Sequence, residues 1–178
     1  DLWKLWVSNG NERGDSVNFP SLQCLWLRST TIDDNGLADV VLGTPALLDL
    51  DIGQCPKITD RGVAVVASTI GSLRRLYVDV NPVSDSRHVM RGTGLDTVLR
   101  THGHRIHSLD FAGHVSLDPS SIASYATYLR RLNLSHLGCR LDSVVRALVT
   151  KCMTLVELTI DRCNVTSETL LHLATRSR

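Results

Sequence analysis

The stretch LLDLDIGQCPKITDRG, residues 47–62, decides the fold. Leu47, Leu50 and Ile52 stand at the spacing apolar-x-x-apolar-x-apolar. Leu50 and Ile52 are two residues apart, so in an extended chain they share one face, and Asp49, Asp51 and Gly53 point the other way. Cys55 follows three residues after Ile52, then come Ile58, Thr59, Asp60 and Gly62. Val63, Val66, Ala67 and Ile70 then fall at helical spacing. The segment reads as strand, turn and helix.

The same spacing occurs seven times: at Leu2/Leu5/Val7, Leu22/Leu25/Leu27, Leu47/Leu50/Ile52, Leu73/Leu76/Val78, Ile106/Leu109/Phe111, Leu129/Leu132/Leu134 and Leu155/Leu158/Ile160. Successive starts are 20, 25, 26, 33, 23 and 26 residues apart. In the second unit Ile32, Asp34, Gly36 and Leu37 align with Ile58, Asp60, Gly62 and Val63. A unit of this kind cannot bury its own apolar face, and stacked neighbours bury it jointly. The predicted fold is α/β, a right-handed leucine-rich-repeat solenoid or horseshoe. Its parallel sheet lines the concave face and its helices the convex face. The domain covers residues 1–178, with about seven repeats starting near Leu2, Leu22, Leu47, Leu73, Ile106, Leu129 and Leu155.

Asp34, Asp60, Asp118 and Asp142 precede helical stretches and are expected to cap the free N–H groups there. Neither end shows a cap, so the chain is expected to be a fragment of a longer protein or to have its ends covered by a partner. NGNERGDSVNFP (9–20) is expected to be an irregular loop. NPVSDSRHVMRGTG (81–94) is expected to hold an insertion before a helix at Leu95, Val98 and Leu99.

The post-strand cysteine, the ITDRG turn and the period near 26 residues resemble the cysteine-containing class of leucine-rich repeats. That class is typical of F-box proteins, the substrate receptors of cullin-based ubiquitin ligases. Cys55 to Gly62 carries the resemblance, and Cys163, Val165 and Thr166 echo it. The resemblance implies protein–protein recognition, in an F-box-type ligase receptor. The alternative is a structural scaffold subunit of a large assembly, such as a cytoskeletal or axonemal complex. A third reading places a metal-dependent activity on the histidines.

Composition narrows the classes. The 19 basic and 18 acidic side chains leave a formal charge of +1, unlike the basic footprint of a nucleic-acid binder. No apolar run reaches membrane-spanning length, and no signal-peptide pattern is present. Cys24, Cys55, Cys139, Cys152 and Cys163 are odd in number, widely spaced and without a CxxC pair. They are read as reduced thiols, which places the chain in the cytoplasm or nucleus. Arg13-Gly14-Asp15 spells an adhesion tripeptide and is read as a coincidental turn.

Cys55 and Cys163, with Asn81 and His114 at the same place in their units, are read as turn residues that bond backbone groups. His102, His104, His107 and His114 crowd one stretch, and imidazoles are common zinc ligands. His107 is expected on a strand facing outward, His114 in the turn on the inner side, and His102 and His104 in the loop that feeds the strand. They do not converge, and they are read as solvated or turn-bonding. No phosphate loop, paired carboxylates in a cleft or nucleophile elbow is found. No catalytic residue, metal site or cofactor is expected.

The outward strand residues line the sheet in columns. Between the second and third apolar positions the column runs Trp6, Trp26, Asp51, Tyr77, Asp110, Asn133, Thr159. Just before the second it runs Lys4, Cys24, Asp49, Arg75, Ser108, Arg131, Glu157, and just after the third Ser8, Arg28, Gly53, Asp79, Ala112, Ser135, Asp161. Trp6 and Trp26 stand on adjacent strands and are positioned to stack. The expected partner-binding residues are Trp6, Trp26, Arg28, Asp49, Asp51, Arg75, Tyr77, Asp79 and Asp110. An aromatic patch beside an acidic strip fits a protein segment with an apolar anchor and basic residues. The alternative is that Trp3, Trp6 and Trp26 are covered by N-terminal residues or by the 9–20 loop.

Overall fold

The computed structural model describes residues 18–81, 90–125 and 127–176. Strands and helices alternate: β1 (Cys24–Trp26), α1 (Asp34–Leu42), β2 (Asp49–Asp51), α2 (Asp60–Thr69), β3 (Arg75–Tyr77), α3 (Thr93–His102), β4 (Ser108–Asp110), α4 (Ser120–Tyr125), β5 (Arg131–Asn133), α5 (Asp142–Lys151), β6 (Glu157–Thr159) and α6 (Ser167–Arg176). The strands form one parallel sheet in the order β1-β2-β3-β4-β5-β6, so each unit lies beside its neighbour in sequence. This is the arrangement of a leucine-rich-repeat-like solenoid. The strands coincide with the second to seventh apolar motifs. The first motif, Trp6, the Arg13-Gly14-Asp15 tripeptide and most of the 9–20 loop lie outside the described residues, as does most of the 81–94 segment.

The register follows the alternation. Leu25, Leu50, Leu76, Leu109, Leu132 and Leu158 stand opposite one another across the sheet. A one-residue slip would turn this row to solvent. From β2 to β5 the row is buried, and Ile52, Val78, Phe111 and Leu134 form a second buried row beside it. Val63, Val66, Leu95, Val98, Val145 and Leu148 close over both rows from the helices.

Beyond the strands a second periodicity appears. Ser29 (φ 60°), Gln54 (57°), Gly113 (85°), His136 (60°) and Arg162 (53°) all lie two residues after the third apolar position. All five are left-handed, and only one is glycine. The conformation costs a side-chain-bearing residue about 1–2 kcal/mol. Backbone bonds to the next unit offset that cost: Ser29 N–H donates to the Gly53 carbonyl (2.9 Å), Gln54 to Asp79 (2.7 Å), Gly113 to Ser135 (2.9 Å) and His136 to Asp161 (2.8 Å).

The cysteine position is one residue further on. Cys55 Sγ donates to the Leu27 carbonyl at 3.1 Å, and Cys163 Sγ to the Leu134 carbonyl at 3.0 Å. His114 stands at the same place, and its Nε2 donates to the Val78 carbonyl at 2.7 Å. The Met90 N–H donates to His114 Nδ1, which fixes the proton on Nε2. Each side chain thus satisfies the carbonyl of the last inward residue in the preceding unit. Burial pushes the Cys55 thiol up and holds the His114 imidazole below its ordinary range.

Two expectations are corrected here. The carboxylates of Asp34, Asp60 and Asp142 do not cap their own helices. Asp33 caps α1 through the Gly36 N–H, and Thr59 caps α2 through the Arg61 N–H. Asp34, Asp60 and Asp142 are the first residues inside their helices, and their carboxylates reach the next unit. Asp34 accepts from the Thr59 N–H (2.9 Å) and hydroxyl (2.6 Å). Asp60 accepts from the N–H groups of Arg91 (2.7 Å), Gly92 (3.3 Å) and Gly94 (2.8 Å), at the start of α3. Asp142 accepts from the Thr166 N–H and from the hydroxyls of Thr166 and Thr169. Gly62 is part of this device, because a Cβ there would collide with the Asp34 carboxylate. Asp118 does act locally, accepting from the Ser120 N–H at 2.9 Å.

The second correction concerns His102, which ends α3 instead of lying in a loop. It continues the helical spacing of Leu95, Val98 and Leu99, so its ring turns inward. Its Nε2 donates to the Ala67 carbonyl at 2.8 Å, while Nδ1 is buried without a partner. His107 lies one residue ahead of β4.

Candidate functional site

The strand residues opposite the helices form the candidate surface. Its columns are aligned by the sheet: Cys24, Asp49, Arg75, Ser108, Arg131 and Glu157 in one, and Trp26, Asp51, Tyr77, Asp110, Asn133 and Thr159 in the next. Of the expected partner-binding residues, all but Trp6 are described. Trp26 is 72 % exposed on β1. Tyr77 shares its column two strands away and is half buried, and burial raises its phenol above the ordinary range.

Arg28 organises the first three strands. Its Nε donates to Asp51 Oδ2 at 2.9 Å. Nη1 and Nη2 donate to the two oxygens of Asp79 at 3.0 and 2.6 Å, a bidentate pair that spans β2. Gly53 makes the crossing possible: a Cβ there would lie 2.5 Å from Asp79 Oδ1 and 2.6 Å from Arg28 Nη2. Gln54 Nε2 adds a bond to Asp79 Oδ2 at 2.8 Å. Burial works against the charged Asp79, but the bonds from Arg28 and Gln54 outweigh it and lower its pKa. The bonds to Asp79 likewise keep Arg28 firmly cationic.

The other carboxylates are also engaged. Arg75 Nε donates to Asp49 Oδ2 at 2.7 Å, while Asp49 Oδ1 is buried without a partner. Asp110 accepts from the Asn133 amide (3.1 Å) and the Ala112 N–H (3.0 Å), and burial raises its pKa. Asp51, Asp110 and Asn133 each accept from the N–H two residues on, a turn that ends the strand. The acidic strip is therefore internally paired, and a basic partner has to compete with Arg28 and Arg75.

Another cluster was not singled out in the sequence. The residues just before the strands, Leu48, Arg74, His107, Arg130 and Val156, are joined successively by N–H to carbonyl bonds of 2.7–2.8 Å. Arg75, His107, Ser108, Arg130, Arg131 and Val156 line a depression of 260 Å³ on the sheet face. Burial and the charges of Arg74 and Arg130 hold the His107 imidazole below its ordinary range. Arg131 meets Glu157 at 3.3 Å, with both side chains largely exposed. The signal was present in the sequence, since Arg74, His107 and Arg130 occupy one motif position. It is the first spacer after the leading apolar residue, one place ahead of the strand, so the three outward columns leave it out and the expectation that His107 lies on the strand is corrected.

The histidines do not meet. His102 and His114 are buried on separate carbonyls, and His104 Nε2 accepts from Arg105 at 2.7 Å. Among the described residues, no three His, Cys, Asp or Glu side chains are grouped to hold a metal ion. No described helix is long and apolar enough to cross a membrane.

No protein-family model matches the sequence, and no curated protein matches it significantly. Solved structures resemble it in shape. A chain of the Rad7 and Elc1 complex from yeast matches with a TM-score of 0.54 at 16 % identity, over 96 % of this chain and 50 % of that one. The tropomodulin C-terminal domain of Caenorhabditis elegans matches with a TM-score of 0.50 at 10 % identity, over 99 % and 91 %. Leiomodin-1 actin-binding site 2 follows with 0.48 at 14 % identity, over 99 % and 87 %. At these identities the likeness is one of fold.

Proposed function

We propose that this chain is a protein-recognition module that holds its partner against the sheet face opposite the helices. It acts by binding, without catalysis. One observation carries the proposal: Trp26 stands 72 % exposed beside the Arg28–Asp51–Asp79 network. Tryptophan is costly to leave wet and is enriched at binding hot spots. The network fixes the side chains around it, so little conformational entropy is lost on binding. The partner segment supplies an apolar anchor for Trp26 and Tyr77. The proposed setting is the cytoplasm or nucleus, where the free cysteines stay reduced.

The finer reading is substrate recognition in an F-box-type ubiquitin ligase receptor. It rests on the resemblance of the repeat unit and its turn cysteines. A second reading, a structural subunit of a large assembly, is favoured by Arg28, which clamps three successive strands and stiffens the face. Quantitative capture of cellular partners with wild type, Trp26→Ala and the helix-side variant Arg61→Ala tests the proposal. Partners should be depleted by Trp26→Ala and retained by Arg61→Ala; equal capture by all three refutes the surface. Depleting the protein from cells separates the finer readings. Partner half-life lengthens for a ligase receptor and stays unchanged for a scaffold.

A further inference from the structure

We propose that the depression lined by Arg75, Ser108 and Arg131 binds the phosphoryl group of a phosphorylated serine or threonine in a protein partner. The inference rests on the protein-recognition reading of the sheet face. Arg75, Ser108 and Arg131 stand side by side on β3, β4 and β5. With strands about 4.8 Å apart, two arginines flank a small buried serine across roughly 10 Å of sheet. Ser108 is buried between them, and its side chain is hydrogen-bonded to Tyr77. His107 and Arg130 close the second side, and Val156 gives an apolar shoulder.

The charges in this depression are available. Among the described residues Arg130 has no ion pair. Arg75 spends only Nε on Asp49, which leaves its terminal nitrogens free of that bond. The Arg131–Glu157 contact is single, 3.3 Å long and exposed at both ends, a kind of pair that contributes little in water. A doubly charged phosphoryl group with three acceptor oxygens satisfies several guanidinium forks at once. A carboxylate, with one charge and two oxygens, leaves part of the cluster unmet. The depression lies on the same sheet face as Tyr77 and Trp26, so a segment anchored there extends into it.

The test uses immobilised degenerate peptide libraries centred on phosphoserine, serine or glutamate, and the whole chain as analyte. The wild-type protein should retain the phosphoserine library at least about 10-fold over the serine library, the scale of one lost charge-assisted bond. Arg130→Ala and Arg131→Ala should each remove most of that preference, Arg130→Lys should keep part of it, and Arg61→Ala should change nothing. Addition of a retained phosphopeptide should raise the His107 pKa, followed by imidazole NMR. Equal retention of the serine and phosphoserine libraries overturns the proposal. So does equal retention of the glutamate library, or a preference untouched by Arg130→Ala. Tight binding of inositol hexakisphosphate with no retained phosphopeptide overturns it in favour of a soluble polyphosphate. If Trp26→Ala abolishes partner capture while Arg130→Ala does not, the pocket fails and the recognition face stands. If neither matters, both fail.

Discussion

Replacing Gly53 by alanine tests how the recognition face is held together. The added Cβ lies 2.5 Å from Asp79 Oδ1, 2.6 Å from Arg28 Nη2 and 2.7 Å from Arg28 Cζ, so the guanidinium has to leave its bidentate seat. Hydrogen bonds to charged groups contribute about 1.5–3 kcal/mol. Arg28 is 41 % exposed, and screening reduces the loss to about 1–2 kcal/mol. Alanine also restricts the unfolded chain, which returns about 0.5–1 kcal/mol. Gly53 does not need the left-handed region, so no backbone strain adds to the cost. The net expectation is a destabilisation of about 1 kcal/mol, measured by urea unfolding. In an Arg28→Ala background the guanidinium clash is gone and only the Asp79 carboxylate has to shift, so Gly53→Ala becomes close to neutral, within about 0.5 kcal/mol. The cycle therefore yields a coupling of about 1 kcal/mol. Asp79, deprived of Arg28, titrates at higher pH in either single variant. Equal destabilisation by Gly53→Ala in both backgrounds refutes the idea that Gly53 exists to let the ion pair cross β2.

Further outcomes are expected elsewhere. His136→Gly relieves a left-handed side chain worth about 1–2 kcal/mol but loosens the unfolded chain by about 0.5–1 kcal/mol, so it should stabilise by about 0.5 kcal/mol, read as a raised urea midpoint. Asp60→Ala leaves the N–H groups of Arg91, Gly92 and Gly94 without their carboxylate, and should cost about 2–3 kcal/mol and speed amide exchange at the start of α3. Burial depresses the His102 and His114 pKa values, so the unfolded chain takes up protons first. The stability they contribute is complete above about pH 6.5 and is lost as pH falls toward the folded values, and His114→Gln should shrink that step in a pH series of unfolding curves. A second loss should begin below about pH 3.9. There the bonds from Thr169 and Thr166 hold Asp142 down to about 2, and Asp79 is also held low.

The strands were legible because the period-2 alternation of Leu50 and Ile52 recurs in every unit, and stacking leaves a single register. The columns followed from that register. What each outward side chain touches was not legible. Arg28 reaches past its neighbouring strand to Asp79, a contact that depends on the missing Cβ at residue 53, and alternation says nothing about reach. The helix caps were misread by one residue because Asp33-Asp34 and Thr59-Asp60 each offer two capping side chains in succession. Their division of labour depends on where the next unit sits. The left-handed turns were hidden because Ser29, Gln54, His136 and Arg162 are not the residues that advertise positive φ.

Two sets of side-chain bonds between units share a direction. Asp34, Asp60 and Asp142 close amides that belong to the unit after their own, and Cys55, His114 and Cys163 close a carbonyl of the unit before. In both sets the later unit donates and the earlier one accepts, so the carboxylates complete the later unit and the turn side chains complete the earlier one. A ribosome delivers the earlier unit first, so each new turn emerges onto a neighbour that already presents its missing carboxylate and its waiting carbonyl. Removing the last unit strands a carbonyl and a carboxylate on the unit before it, whereas removing the first strands amides on the unit that follows.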